Sequence, residues 1–548
     1  MVVVAAATRQ GPMTVRARGD PAVWVTYGLA AAFLGLFVVY PLVRVAATPG
    51  WAQWHDLLTN PRWRVVLGNT ALMVVLSTTT ATALGFAFAY GVLRAQIPGA
   101  GLFRLLALAP LVTPPFVGGL SFIFLFGRQG LVTYRLLGQE VNIYGWPGVW
   151  LAQTMAFFPV AYLAIGTVLR RISPTLEQAA RALGAGPWHV FRTVVVPLAA
   201  PGIGAGALLV AIHVLADFGN PALIGGRFRV LATEAYAQVA GWADYRMAAV
   251  LGIVLFLPTL ALFLVQRRLE RVPVVTVVGR GATLPGVRPA GWVRAGLCGI
   301  CGLTSLLMVA KYAVIFLGAF SRVWGYDHAL TVRNFAYVVL ATREFGNSVR
   351  FAAVAAVGAA VLATVLAYLV HRRALPLARV LDAVTLLPAA VPGTLLGVAY
   401  VLAFNAPPLA LAGGGAIIVL SMIVRFLPVG YRSAVAALRQ IDRSIEESAA
   451  DLGATGLRVF WDVVLPLIRA AFSAALVYVF VRSINTLSAV VFLVSHGTGV
   501  ASASILNFAE QGYWGQAAAM ASSLIVLALA ALGALRLLLG GRVRLFEL

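Results

Sequence analysis

Two short polar stretches stand out in a chain of 548 residues that is 61% hydrophobic. Residues 176–185 read LEQAARALGA and residues 445–454 read IEESAADLGA, so each carries a glutamate, alanines and a glycine in the same order. The repeated glutamate lies where a short helix would begin in each stretch. No nucleophile, base or metal-ligand set accompanies it to indicate catalysis. These stretches therefore do not predict an enzyme reaction.

Ionisable and amide side chains inside apolar stretches form a second set of candidates. Asp217 and Asn220 lie in HVLADFGNPALIGG, Arg425 lies in a later apolar segment, and Asn485 and Thr486 lie in RSINTLSAVVFLVS. Within a bilayer, such residues line a cavity or transport path, or they satisfy a neighbouring helix. The sequence leaves both interpretations open.

Other reactive residue types indicate what the chain does not do. Lys311 is the single lysine and lies in the apolar stretch AKYAVIF, so the chain lacks the lysine of a P-loop. Cys298 and Cys301 lie in an apolar segment without histidine partners, which favours packing over zinc or redox chemistry.

The net charge of +23 is dispersed over short loops, so we expect no nucleic-acid partner. We also expect no cofactor and no metal in this chain.

Long apolar helices must position these residues. Only 11% of the residues are charged, and apolar runs long enough to cross a bilayer recur along the whole chain. The runs do not alternate polar with apolar residues, which excludes a β-barrel. We predict an all-α polytopic membrane protein with about twelve transmembrane helices. The predicted helices cover residues 22–45, 66–93, 103–127, 146–169, 202–226, 246–266, 292–320, 347–370, 380–404, 414–437, 469–495 and 516–540.

The chain contains an internal duplication. Pairs separated by the same 269 positions are Glu177 with Glu446, Gly184 with Gly453 and Pro197 with Pro466. Upstream, PLVTPP at 110–115 matches PAAVPG at 388–393 with a spacing of 278, and these prolines are expected to bend the third and ninth helices. Two homologous six-helix halves that start on the same side would be related by a pseudo-two-fold axis along the membrane normal.

The arginines predict the orientation of the helices. Most of them lie near the two termini and in the loops after the second, fourth and sixth helices of each half, and cytoplasmic loops retain positive charge. We predict a cytoplasmic N-terminal segment 1–21, a first half 22–266, a cytoplasmic linker 267–291 and a second half 292–548. Both termini and both polar stretches would then be cytoplasmic. The first apolar run is expected to remain as an uncleaved anchor.

The two polar stretches predict the same local structure. Ser173 is a suitable helix N-cap, Gly184 suits a left-handed C-cap, and Pro187 can begin a second short helix. Asp442 and Gly453 take the cap and stop positions in the second copy. Such helices could rest on lipid, but their alanine-rich faces favour packing on protein.

This pattern resembles the EAA loop of bacterial ABC importer permeases. It is present as EQAARALG followed by VVVPL and as EESAADLG followed by VVLPL, with Gln178 and Ser448 departing from the commoner residues. The two-times-six layout resembles fused ferric-iron (Fbp-like) permeases of the bacterial inner membrane. We call residues 172–200 and 441–469 the first and second EAA segments. The resemblance implies coupling to ATPase subunits through Glu177, Ala180, Gly184 and Pro197 in the first segment and Glu446, Ala449, Gly453 and Pro466 in the second.

The resemblance also implies partners and cargo. Two copies of a cytoplasmic ATPase, carrying ATP and Mg²⁺, and an extracytoplasmic solute-binding protein are expected, in addition to membrane lipid. Iron(III) is the first expected cargo, with phosphonate, sugar phosphate, thiamine or polyamine as alternatives. An ion-coupled secondary transporter would be a different class and would need intramembrane charges that couple to the ion. Asp217 and Arg425 are not repeated in the other half, where Thr486 and Ala156 take the matching positions.

Overall fold

A computed structural model describes residues 20–114, 116–269, 289–338, 343–373, 375–407 and 409–538. Residues 1–19 of the predicted N-terminal segment and residues 270–288 of the predicted linker lie outside the described residues. Pro115 and the C-terminal residues 539–548 also lie outside them.

The described chain is almost entirely helical. The helices of the first half are α1 Pro21–Leu34, α2 Tyr40–Ala47, α3 Trp51–Thr59, α4 Pro61–Leu93, α5 Ala100–Val112, α6 Val117–Phe126, α7 Trp146–Arg171, α8 Pro174–Ala182, α9 Pro187–Val190, α10 Val196–Leu215, α11 Gly219–Ile224, α12 Leu231–Trp242 and α13 Tyr245–Leu269. Those of the second half are α14 Gly291–Phe320, α15 Arg333–Ala336, α16 Glu344–Arg372, α17 Ala378–Leu386, α18 Gly393–Phe404, α19 Gly415–Leu438, α20 Arg443–Asp451, α21 Gly456–Val459, α22 Leu465–Leu467, α23 Arg469–Ile484, α24 Ala501–Glu510 and α25 Trp514–Leu538. Strands β1 Ser321–Val323 and β2 Asp327–Leu330 form an antiparallel hairpin.

The long helices confirm the predicted all-α membrane protein. Among the described residues, nine helical stretches are long and apolar enough to cross a membrane, and three bent helix pairs raise the number to twelve. The chain bends by 114° between α5 and α6 and by 112° between α17 and α18. Pro114 and Pro392 lie at these two breaks, where proline removes a backbone donor. The predicted bends are therefore confirmed.

Two predicted helices end earlier than expected. The helix predicted over 202–226 ends at Leu215, and the one predicted over 469–495 ends at Ile484. The chain then turns at Asp217 in the first half and around Asn485 in the second. Non-helical backbone at membrane depth is tolerated where it is buried in protein or lines a cavity. Asp217 and Asn485 therefore lie just beyond helix ends, whereas Arg425 lies within α19.

The first helix of each half packs against helices of the other half. Tyr400 Oη on α18 donates a hydrogen bond to the Phe37 carbonyl, between α1 and α2, at 2.9 Å. In the same way, Gly318 on α14 lies against the ring of Phe124 on α6. The boundaries of the two halves follow the sequence repeat. The helices of one half nevertheless pack against helices of the other.

Candidate functional site

Each EAA segment folds as a short helix, a glycine turn and a second short helix. Ser173 Oγ accepts a hydrogen bond from the backbone N–H two residues on at 3.3 Å, and Asp442 Oδ1 does the same at 3.0 Å. Gly184 and Gly453 follow α8 and α20 with φ of +89° and +88°, where the missing Cβ of glycine avoids a steric penalty. The predicted caps and turns are confirmed.

The two EAA glutamates point inward, toward arginines at the ends of long helices. Glu177 Oε1 lies 3.1 Å from Arg94 Nη1, with side chains only 4% and 8% exposed. Glu446 Oε1 lies 3.0 Å from Arg372 Nε, with side chains 13% and 7% exposed. Burial raises the pKa of Glu446, and the charge of Arg372 opposes that shift. Both carboxylates therefore have arginine partners within this chain, and direct contact with another chain stays a prediction.

The same two arginines also donate hydrogen bonds to backbone carbonyls at the end of another transmembrane helix. Arg94 Nη2 donates to the Leu169 and Ile172 carbonyls, each at 2.5 Å, where α7 ends. Arg372 Nη2 donates to the matching carbonyls after α19, those of Leu438 at 2.5 Å and Ile441 at 2.7 Å. Each arginine therefore joins two transmembrane helices to one EAA helix. Movement of α8 or α20 would be transmitted to both helices of its pair.

The most exposed large apolar side chains of the EAA segments are two leucines that the sequence reasoning missed. Leu183 is 89% exposed and Leu452 is 90% exposed. Each immediately precedes the glycine that ends its EAA helix, and the two are separated by the 269 positions of the repeat. Solvated leucines at equivalent tips are an apolar signal that the duplication could have revealed.

The remaining predicted EAA residues are less prominent. Ala180 and Ala449 are half-buried on α8 and α20, and Pro197 and Pro466 are exposed near the start of the next helices, α10 and α22. These residues shape the segments but do not form the outer tips.

A cavity of about 90 Å³ lies between the two halves. Asp217, Arg425, Asn485 and Thr486 line it, so four of the five polar candidates are brought together. The fifth, Asn220, is fully buried behind Asp217. His213 and Arg482 also line this cavity, and the sequence reasoning did not single them out.

The pseudo-two-fold axis passes through this cavity. Residues at equivalent positions of the two halves line it together, and these pairs are Phe157 with Phe426, His213 with Arg482, Ala216 with Asn485, Asp217 with Thr486, Phe218 with Leu487 and Gly219 with Ser488. Every pair has the 269-residue spacing of the EAA segments. The spacing could have identified Arg482 as the counterpart of His213. Only the fold shows that both face one space.

The first-half side of the cavity is a satisfied polar network. Asp217 Oδ2 accepts hydrogen bonds from Gln153 Nε2 at 3.1 Å and Asn220 Nδ2 at 3.0 Å. Asn220 Oδ1 in turn accepts from the Gly119 backbone N–H in the first turn of α6 at 3.1 Å. Neutral amide donors therefore stabilise this buried carboxylate.

The second-half side carries two arginines without acidic partners. The guanidinium carbons of Arg425 and Arg482 lie 5.9 and 6.0 Å from the ring centroid of Phe426. Across the described ranges, neither guanidinium forms an ion pair or a hydrogen bond. Gly393, the first residue of α18, packs directly against Arg425 and Ser488, so that a Cβ there would overlap both.

The described residues contain no group of three or more histidine, cysteine or acidic side chains arranged to hold a metal ion. Cys298 and Cys301 are free thiols on α14, and Cys301 is buried.

Comparison with known sequences decides the class. The profile of the family described as "Binding-protein-dependent transport system inner membrane component" matches residues 81–272 and 356–544. The chain belongs to this family. It is a multi-pass permease subunit of an ABC importer in the inner membrane, and its two halves are two copies of the same domain. The ion-coupled secondary transporter is a different class and is set aside.

Individual relatives extend over most of the permease. A ferric transport system permease protein, FbpB, of Actinobacillus pleuropneumoniae is 35% identical, over 90% of this chain and 75% of that protein. A protein of Haemophilus influenzae named as a ferric transport system permease, FbpB 1, is 33% identical over 85% of this chain and 77% of its own length. The molybdenum transport system permease ModB of Escherichia coli is 36% identical over 30% of this chain and 72% of its own length.

The permease also has a wide opening on the side opposite the EAA segments. This space of about 1260 Å³ is lined by Asn69, Arg128, Tyr144, Trp146, Trp324 and Trp514, among others. The start of α4 lies here, whereas its end carries Leu93 and leads to Arg94 beside the first EAA segment. The two faces of the permease are therefore chemically distinct.

Proposed function

We propose that this permease imports iron(III), received from an extracytoplasmic binding protein and driven by two copies of a cytoplasmic ATPase subunit. The observation that supports the cargo is the identity of 35% and 33% to two ferric transport permeases over most of the chain. ATP and Mg²⁺ would bind the ATPase subunits. This chain would contribute no catalytic residue.

The EAA segments are the proposed ATPase docking sites. Leu183 and Leu452 would enter apolar clefts of the two ATPase copies, one per half. Behind them, Glu177 and Glu446 would keep the docked helices attached to the transmembrane helices through Arg94 and Arg372. This arrangement divides docking between exposed apolar tips and buried ionic anchors, with Gly184 and Gly453 as the turns between them.

The proposed orientation places both EAA segments and both termini in the cytoplasm. An even number of helices in each half keeps equivalent segments on one side of the membrane. The wide opening at the other face would then receive cargo from the binding protein. Asp217, Asn220, Arg425, Asn485 and Thr486 would line or support the path between the two faces.

Docking can be tested at the leucine tips. We expect the double variant Leu183→Ser and Leu452→Ser to weaken co-purification with the ATPase subunit at least fivefold, because each leucine would contribute about 1.5–3 kcal/mol when buried. The matched control is Leu330→Ser, which changes a leucine that is 83% exposed in β2. Equal ATPase recovery from the double variant and the wild type would refute docking through these tips.

The cargo can be tested by uptake in cells that express the complete transporter and lack other iron import. We expect ⁵⁵Fe(III) accumulation that stops when ATP is depleted, whereas labelled molybdate, phosphonate, thiamine and putrescine should not accumulate above background. Molybdate is included because ModB matches part of the chain. Uptake of another solute in place of iron would overturn the cargo and leave the importer class intact.

A further inference from the structure

The cavity on the pseudo-two-fold axis has unequal charge on its two sides. On the first-half side, Gln153 and Asn220 already satisfy the single carboxylate, Asp217. On the second-half side, Arg425 and Arg482 line the same space without an acidic partner among the described residues. The cavity surface therefore has an excess of positive charge. Unpaired cations at membrane depth are costly and usually mark a ligand site or path.

Hydrogen-bond donors surround the two arginines. Ser488 lines the cavity and lies next to Gly393, which also contacts Arg425. Gly393 begins the twelve-residue helix α18, whose N-terminus adds partial positive charge. The Thr486 side chain also lines this side of the cavity, whereas the Asn485 amide donates to the Val112 carbonyl at 3.0 Å. Guanidinium groups with hydroxyl donors nearby are the arrangement that binds phosphate and carboxylate oxygens.

We propose that this cavity binds a small oxyanion that accompanies the metal, so that iron(III) crosses the permease as an oxyanion complex and not as a bare cation. This inference rests on the proposed iron cargo. A bare trivalent cation would meet two guanidinium groups at the point where the halves converge. An oxyanion ligand of inorganic phosphate size suits a cavity of about 90 Å³.

Asp217 has a definite role in this arrangement. Its negative charge faces the same cavity as the arginines, so it opposes an anion and limits how tightly the anion is held. A transport site must release its ligand as well as bind it. Removing this charge should therefore strengthen anion binding, whereas removing the arginines should weaken it. These opposite effects separate a binding site from general damage to the fold.

The test is equilibrium binding of [³²P]phosphate to the full chain in lipid nanodiscs at constant ionic strength. We expect Arg425→Gln with Arg482→Gln to weaken binding at least tenfold, and Asp217→Asn to strengthen it at least threefold. Arg432→Gln is the matched control, because Arg432 is an exposed arginine on the same helix, α19, and it should bind like the wild type. Absence of phosphate binding by the wild type, or equal binding by the double variant, would overturn the site.

Two further measurements keep the outcomes distinct. Arg425→Lys with Arg482→Lys retains the charge and should bind within about fivefold of the wild type, which guards against misfolding of the glutamine variant. Uptake of ⁵⁵Fe(III) by the complete transporter is measured in parallel. Wild-type iron uptake by the glutamine double variant would refute the oxyanion complex and leave the iron cargo intact. Phosphate binding without any iron uptake by the wild type would refute the iron cargo instead.

Discussion

Replacing Arg94 and Arg372 with glutamine in the same chain is expected to reduce ATP-driven import at least tenfold while the protein still inserts into the membrane. Each substitution removes the arginine that pairs with a buried glutamate, Arg94 from Glu177 or Arg372 from Glu446. Breaking a buried ion pair in this way typically costs about 3–5 kcal/mol. The affected EAA helix would then separate from the ends of its transmembrane helices. Cargo uptake and ATPase activity are measured together.

The matched control for this variant is Arg170→Gln with Arg439→Gln. These arginines are exposed at the same membrane face and are also separated by 269 positions, so the change in net charge is identical. We expect near-normal import. The anchor variant should still hydrolyse ATP, and its EAA segments should be cleaved faster by protease. Import at the wild-type rate by Arg94→Gln with Arg372→Gln would show that the anchors do not transmit movement.

Gly393→Ala is expected to lower import at least tenfold through a single added methyl group. The new Cβ would overlap the Arg425 guanidinium and the Ser488 hydroxyl, so both side-chain ends would have to move. Because both neighbours line the central cavity, the displacement would change the cavity directly. Uptake of ⁵⁵Fe(III) and the amount of protein in the membrane are compared with the wild type.

Gly299→Ala provides the control, because a Cβ at Gly299 on α14 meets nothing within 4 Å. We expect it to import normally. Adding Ser488→Gly to Gly393→Ala should restore part of the activity, since it removes one of the two overlaps. If Gly393→Ala and Gly299→Ala import equally well, the close approach at α18 has no functional importance.

The EAA segments show which structural features a local sequence pattern can predict and which it cannot. Ser173 and Asp442 as caps, and Gly184 and Gly453 as left-handed turns, follow from side-chain chemistry within a few residues and were predicted correctly. The pairing of Glu177 with Arg94 was not predicted, because Arg94 is 83 positions earlier in the chain. A helix pattern shows which residues share a face, but not which other element covers that face.

The central cavity shows the same limit more strongly. Composition and residue type identified Asp217 and Arg425 as unusual for a bilayer, since buried charge is rare there. Neither Asp217 nor Arg425 is repeated in the other half. The repeat spacing therefore gave no reason to place the two residues in one site. The fold brings both to one cavity, because the turn after α10 carries Asp217 and the middle of α19 carries Arg425 to the same space.

By itself, the sequence determined that this is a helical membrane protein of two repeated halves, each with an equivalent EAA segment. It could do so because hydropathy, capping residues and repeat spacing are local or periodic properties of a sequence. The tertiary structure alone decided that the EAA glutamates face inward to arginines, that leucines form the outer tips, and that the first helix of each half packs on the other. It also decided which polar residues share the central cavity. These features depend on contacts between residues far apart in the chain, which no local pattern specifies.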